Sequence, residues 1–334
     1  MSTPVLWLTE QDVVSLVTLD DAIAALERAV SAEDAFNVPK ALATYGDGGT
    51  MHALASAAPA LDYAGFKTWL HTKRGATALY ELFDSRDGSV RAVIEAGALG
   101  QLRTAAMTGL GTRWMAPEGA DELGLVGTGL QSMAQVAAIN AVRPLRRVRV
   151  FSPTPEKRQA FVAKLRERFG AEIVEAQSLD EAVDGAPIVT LVTRARDPFL
   201  HGSALARGAH LNAVGAILPA NAEFHPDVFE RVGAVMVDDV PNAQKASREF
   251  IDHYGGERGW SSVRSVGEVV RSGRSARAEG CDLTLFKAMG MGLSDLAVAM
   301  MAYERARERG LGREIPAAKR AALTWKGDRS PPKA

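Results

Sequence analysis

From Leu123 onward, short apolar runs alternate with amphipathic stretches, and few arrangements other than a parallel sheet covered by helices on both faces can bury that pattern. The expected strands are 123–126, 148–151, 172–174, 188–192, 210–214 and 234–237. The first ends at Val126 and runs straight into Gly127-Thr128-Gly129-Leu130-Gln131-Ser132, with a helix expected from about Gln131. Backbone N–H groups at such a turn and the positive end of the following helix suit a pyrophosphate. Two glycines alone are a weak signal, but the strand before and the helix after make the pattern specific. Ser132, in place of a third glycine, is small enough for close helix–strand packing. The competing reading is a tight turn in a ligand-free α/β domain. A doubly wound Rossmann domain holding a nicotinamide dinucleotide is the expectation, with Gly127, Thr128, Gly129, Leu130 and Gln131 at the cofactor.

The end of the second strand bears on which dinucleotide. A free ribose 2′-hydroxyl calls for a carboxylate there. The chain instead has Ser152-Pro153-Thr154-Pro155-Glu156-Lys157-Arg158. Hydroxyls at Ser152 and Thr154 and two cations, Lys157 and Arg158, tolerate a 2′-phosphate, which favours NADP over NAD. Lys157 and Arg158 also suit a solvated first helical turn.

Ahead of this domain, residues 19–30 have apolar side chains at helical spacing behind an aspartate cap. Residues 64–70 and 78–84 read as half-buried strands, and Asp87-Gly88 between Phe83 and Val90 signals a hairpin. A final helix, 292–309, carries an apolar face (Leu293, Leu296, Ala297, Met300) that suits packing back on the start of the chain. The tail after Arg313, with Pro316 and Pro331-Pro332, is expected to be mobile. At 334 residues one core is too little. The expected fold is α/β: a Rossmann doubly wound sheet (116–292) inserted into an α+β substrate and dimerisation domain (1–115 plus 293–334).

Composition removes other classes. A net charge of -1 gives no basis for nucleic-acid or anionic-membrane binding, and no apolar run is long enough to span a bilayer. Cys281 is alone, and Met1-Ser2-Thr3-Pro4 does not start a signal peptide, which points to a reducing, cytoplasmic setting. His52, His71, His201, His210, His225 and His253 show no ligand spacing, so no metal is expected. No serine sits in a nucleophile-elbow context.

Several segments together resemble the ornithine cyclodeaminase and mu-crystallin family. They are Gly65-Phe66-Lys67, Glu95-Ala96-Gly97-Ala98-Leu99-Gly100-Gln101-Leu102-Arg103-Thr104-Ala105-Ala106, the glycine turn, His210-Leu211-Asn212-Ala213-Val214-Gly215-Ala216 and Leu283-Thr284-Leu285-Phe286-Lys287-Ala288-Met289-Gly290. The resemblance implies a homodimer and a small imino or amino acid as substrate. It implies that Arg103 forks onto the substrate carboxylate, that Lys67 lies by the reacting carbon, and that Thr104 touches the cofactor phosphates. Thr193, Val214 and Gly215 become walls of the cofactor crevice. Arg103 also suits a surface ion pair between domains, and Lys67 an exposed strand position.

Departures from the family pattern narrow the chemistry. Lys40, after Val38-Pro39, stands where many members carry an arginine on the carboxylate. Ile217 stands where cyclodeaminases and alanine dehydrogenases have an acid/base aspartate, and Ala288 where a serine touches the nicotinamide amide. Glu223 matches a structural acid, and Asp295 is read as structural rather than catalytic. Cyclodeamination needs a carboxylate to manage nitrogen protons; reduction of a preformed C=N bond needs hydride, an anchored carboxylate and one proton donor. An NAD(P)H-dependent imino acid reductase, using Lys40, Lys67 and Arg103, is expected. The alternatives are a cyclodeaminase or amino-acid dehydrogenase, or a crystallin-like binding protein without turnover.

Overall fold

The computed structural model describes residues 4–319 and 321–323. The first sheet contains β1 (Val5–Leu8), β2 (Phe36–Tyr45), β3 (Gly49–Ala58), β4 (Tyr63–Thr72), β5 (Gly75–Asp84) and β6 (Val90–Glu95). Helices α1 (Glu10–Leu16) and α2 (Leu19–Ser31) follow β1, and α3 (Gly97–Met115) follows β6. The second sheet contains β7 (Glu122–Val126), β8 (Arg147–Phe151), β9 (Glu172–Glu175), β10 (Ile188–Leu191), β11 (Ala209–Ala213), β12 (Val232–Val237), β13 (Val263–Ser265) and β14 (Leu283–Lys287). Between these strands run α4 (Ser132–Val142), α5 (Pro155–Arg168), α6 (Leu179–Val183), α7 (Val240–Ala246), α8 (Arg248–Tyr254) and α9 (Val266–Ser272). The described chain finishes with α10 (Gly292–Arg309) and β15 (Arg313–Ile315).

The second sheet is eight-stranded in the order β13-β12-β14-β11-β10-β7-β8-β9, and every pair is parallel. The chain turns outward on both sides of β7, so a crevice opens between the ends of β7 and β10, where doubly wound sheets take ligands. The six expected strands are present. The central strand β14, between β11 and β12, was not anticipated as one; all five of its residues are buried, so it lacks the alternation that marks a half-exposed strand.

The first sheet is seven-stranded, β15-β1-β6-β5-β4-β3-β2. It is antiparallel except for β1 beside β6. The Asp87-Gly88 hairpin joins β5 to β6, with Gly88 at φ +71°. β2 and β3 escaped prediction because their many alanines, with Pro39, Asn37 and Gly49, carry little strand signal; pairing along β4 orders them. The cap of α2 is Thr18, two residues before Asp20, rather than an aspartate, and Asp21 completes a capping box. α10 returns to this sheet as expected: a Cβ at Gly292 would lie 2.6 Å from the Ala55 carbonyl oxygen of β3.

The tail expectation is corrected. Arg313–Ile315 pairs with the edge of β1, with Val5 opposite Ile315, because that edge would otherwise leave its backbone groups unpaired. The rest of that expectation, at 320 and 324–334, lies outside the described residues, as do residues 1–3. α3 is the wall shared by both sheets. A Cβ at Gly111 would meet the Phe286 ring of β14 at 2.6 Å, and one at Gly109 the Ala138 carbonyl oxygen of α4 at 3.0 Å. Among the described residues no helix is long and apolar enough to cross a membrane.

Candidate active site

β7 delivers the chain to Gly127 at φ +116°, where side chains are strained, and a Cβ there would stand 2.6 Å from the Val192 carbonyl oxygen beyond β10. The crevice is this narrow only because residue 127 is glycine. A Cβ at Gly129 would meet nothing within 4 Å, so the second glycine leaves open space at the turn rather than relieving a clash. Leu130 stands 77% exposed at the tip. Gln131 precedes the first turn of α4. Gln131 Oε1, Ser132 Oγ and both polar atoms of Gln135 are buried without a protein hydrogen-bond partner. Unmet polar groups beside an open turn at a helix N-terminus fit a phosphate-bearing ligand such as a dinucleotide.

At the end of β8, Ser152 is buried and Thr154 half-buried. Arg158 corrects its expected role. Its Nε donates to Glu175 Oε1 at 3.0 Å, Nη1 to the Ser152 carbonyl at 2.8 Å and Nη2 to Gln177 Oε1 at 3.2 Å. Buried, with each of its three nitrogens already donating and its charge paired with Glu175, it ties the end of β8 to β9 rather than standing free for a 2′-phosphate. Lys157 next to it is exposed.

The far wall is held by Glu223, which is 0% exposed. Its Oε1 accepts from the Thr193 N–H and hydroxyl, both at 2.8 Å, and its Oε2 from Gly215 N–H at 2.9 Å and Ala216 N–H at 3.1 Å. Thr193 and Gly215 are thus fixed beside each other, and Val214 is buried behind them. With four donors on its two oxygens, Glu223 is the structural acid expected, not a hidden catalytic one. Ile217 and Leu218, just beyond, are exposed hydrocarbon.

The second cluster draws on four distant segments. Lys67 is at the middle of β4, where Gly65 and Lys67 face inward while Phe66 and Thr68 face out. The exposed-lysine alternative fails, since Lys67 is 7% exposed. Its Nζ donates to Asp295 Oδ1 at 2.9 Å, and Arg103 Nε lies 3.3 Å from the same oxygen. Asp295, in the first turn of α10, is wholly buried, and it joins the site that sequence reading had denied it. The signal was present: an acid in a helical first turn among apolar neighbours. Small residues make room for both cations. A Cβ at Gly100 would meet Lys67 Nζ, and one at Gly290 Arg103 Nη1, each at 3.1 Å. Thr104, beside Arg103, donates its hydroxyl back to the Gly100 carbonyl at 2.8 Å.

Lys40 enters from an irregularity in β2, where register with β3 shifts between Val38 and Ala41. Lys40 and Lys67 place their Nζ atoms 5.4 and 5.3 Å from the Trp69 ring centroid, within cation–π reach. His52 stacks on that indole at 4.5 Å. Trp69 and His52 were not anticipated, since neither has a local motif. Burial, then Arg103, Lys67 and Lys245, push the Lys40 ammonium down. Burial also lowers Lys67, Asp295 opposes this, and Arg103 adds to it. Among the described residues Asp295 is the carboxylate paired with Lys67 and Arg103, so with Lys40 the pocket holds three cations against that acid, attracts an anion, and keeps an ammonium that releases its proton more readily than a solvated one.

The model of the ornithine cyclodeaminase/mu-crystallin family matches residues 5–310. The chain is 29% identical over 245 residues to a Delta(1)-pyrroline-2-carboxylate reductase of Bacillus cereus, covering 73% of this chain and 75% of the relative. Among solved structures, the iminosuccinate reductase of Paracoccus denitrificans in complex with NAD+ superposes with a TM-score of 0.87 at 25% identity, covering 94% of this chain and 99% of the other. An archaeal alanine dehydrogenase dimer with bound NAD gives a TM-score of 0.85 at 25% identity, over 94% and 99%.

Proposed function

The chain belongs to the ornithine cyclodeaminase/mu-crystallin family, and we propose that it reduces the C=N bond of a cyclic or open-chain imino acid with NAD(P)H. The observation that carries this reading is the buried Asp295 holding Lys67 and Arg103 together, with hydrocarbon at Ile217 where an acid would be needed for cyclodeamination. Arg103 and Lys40 bind the substrate carboxylate, the first as a planar fork and the second as a point charge. Lys67 faces the imine nitrogen. Gly127, Thr128, Gly129, Leu130 and Gln131 would hold the pyrophosphate of a reduced nicotinamide dinucleotide, which would supply the hydride for the imine carbon. As the C=N π pair passes to nitrogen, Lys67 gives its Nζ proton to that nitrogen, completing the amine, and recovers a proton from water.

Without a carboxylate after β8, the ribose pocket accepts a 2′-phosphate, with Ser152, Thr154 and exposed Lys157 as its donors; NADPH is the preferred reductant in this reading. Phe36, Val38, Leu42, Tyr45, Met51, Phe66 and Leu70 stand exposed on β2, β3 and β4. Apolar surface of this extent is normally covered, and a second copy in a homodimer covers it here. A cytoplasmic setting accords with the single cysteine. Steady-state assays of pyrroline-, piperideine- and open-chain imino acids with NADH and NADPH test the proposal. Turnover of at least one supports it; cofactor-loaded protein that oxidises neither reductant with any of them overturns it.

A further inference from the structure

The sheet face that carries Lys67 also carries two hydroxyls that this chemistry leaves idle. Strand pairing sets Lys67 opposite Tyr80 of β5 and Leu54 of β3, and sets Gly65 opposite Ser56 of β3. With no side chain at Gly65, the Tyr80 ring crosses β4: a Cβ at 65 would lie 2.6 Å from ring Cε1. α10 closes over the same spot, since a Cβ at Gly292 would meet Ser56 Cβ at 3.3 Å, and Asp295 follows in that turn. Tyr80, Ser56 and Asp295 are 1%, 4% and 0% exposed. Tyr80 Oη, Ser56 Oγ and Asp295 Oδ2 are all buried without a well-formed protein hydrogen bond, and the two hydroxyls lie close enough for Ser56 to act on the phenol. These three polar groups around one buried spot supply the two to four partners that a bound water requires.

We propose that Tyr80, with Ser56, is a positioning residue that donates a hydrogen bond to Asp295 Oδ2, directly or through one bound water, and thereby keeps Lys67 the proton donor. The inference rests on Lys67 being the acid of imine reduction. In a dry pocket the Lys67 proton can pass to Asp295, leaving a neutral pair with nothing to donate to substrate. A donor on Oδ2 stabilises the carboxylate and opposes that transfer. Arg103 from α3 and Lys40 from β2 face this pair, Lys245 from α7 acts on Lys40 behind it, Glu81 lies beside Tyr80 on β5, and His52 on β3 lies beyond Trp69. Asp295 holds Lys67 up against burial and Arg103. Burial and the Asp295 charge raise the Tyr80 phenol well above its usual range, so it remains a donor.

The test follows the Lys67 ammonium itself. In full-length protein labelled with 15N-lysine, the Lys67 Nζ resonance is assigned through Lys67→Arg and titrated in the wild type, Tyr80→Phe and Ser56→Ala. Tyr80→Phe keeps the ring over Gly65. It should lower the pH at which Lys67 loses its proton by about one unit, a tenfold change in the proton equilibrium, with a smaller shift in Ser56→Ala. The alkaline limb of kcat/KM should move with it, and NAD(P)H affinity should not. Unchanged Lys67 titration in both variants overturns the proposal, even where Tyr80→Phe lowers the melting temperature, because a purely structural phenol affects stability alone. If the wild type turns over no imine, imine reduction falls, while the titration still decides whether Tyr80 acts on Lys67.

Discussion

The glycine turn and the cation cluster are assembled in opposite ways. At the turn, strand, glycines and helix are consecutive, and a single residue, Gly127, decides whether the backbones of β7 and β10 can approach. The cation cluster collects Lys40, Lys67, Arg103 and Asp295 from β2, β4, α3 and α10, and none of these positions is informative alone. In the proposed reading a local motif holds the cofactor while topology assembles the substrate chemistry, so the two should fail independently.

The sharpest challenge to that separation is Lys67→Met. It should reduce kcat/KM for an imine by about 10²–10⁴-fold, the usual worth of a general acid, while fluorescence titration shows NAD(P)H affinity unchanged. Loss of both would show that the regions are one unit. Gly127→Ala should do the reverse. Backbone strain of about 1–3 kcal/mol, with the clash against Val192 added, should weaken NAD(P)H binding roughly tenfold or more, with imine KM little altered at saturating cofactor.

Asp295→Asn sharpens the electrostatics within the cluster. Asp295 is what raises Lys67 against burial and Arg103; without its charge the Lys67 pKa falls. Activity that needs the ammonium should then be lost at lower pH, the alkaline limb moving down by about one unit or more, read from kcat/KM against pH. The smallest effect belongs to the loop after β11. Ile217→Ala should change imine reduction by far less than the ~10²-fold that marks a catalytic acid. A large loss there would mean that the loop takes part in the chemistry.

Legibility in the sequence followed the same division. The parallel sheet, its order of appearance and the glycine turn were readable because each depends on neighbours in sequence. Lys67 and Arg103 were recognised through resemblance, but their shared contact was not, since it depends on α10 folding back over β4 from more than half the chain away. Asp295 was undervalued and Arg158 overvalued for one reason. An acid or a cation shows its partner only once strands are in register, and Glu175 claims Arg158 as firmly as Asp295 claims Lys67. The β2–β3 pair was missed because its weak strand formers are ordered from outside.

The central claim, hydride delivery to an imine carbon, is most directly tested by isotope transfer. The protein is incubated with pyrroline-2-carboxylate and nicotinamide cofactor deuterated at the transferring C4 position, and the product is read by NMR and mass spectrometry. Proline carrying a single deuterium on its α carbon is the expected product. Cofactor held on the glycine turn, with no deuterium reaching this or any other imino acid, would contradict it.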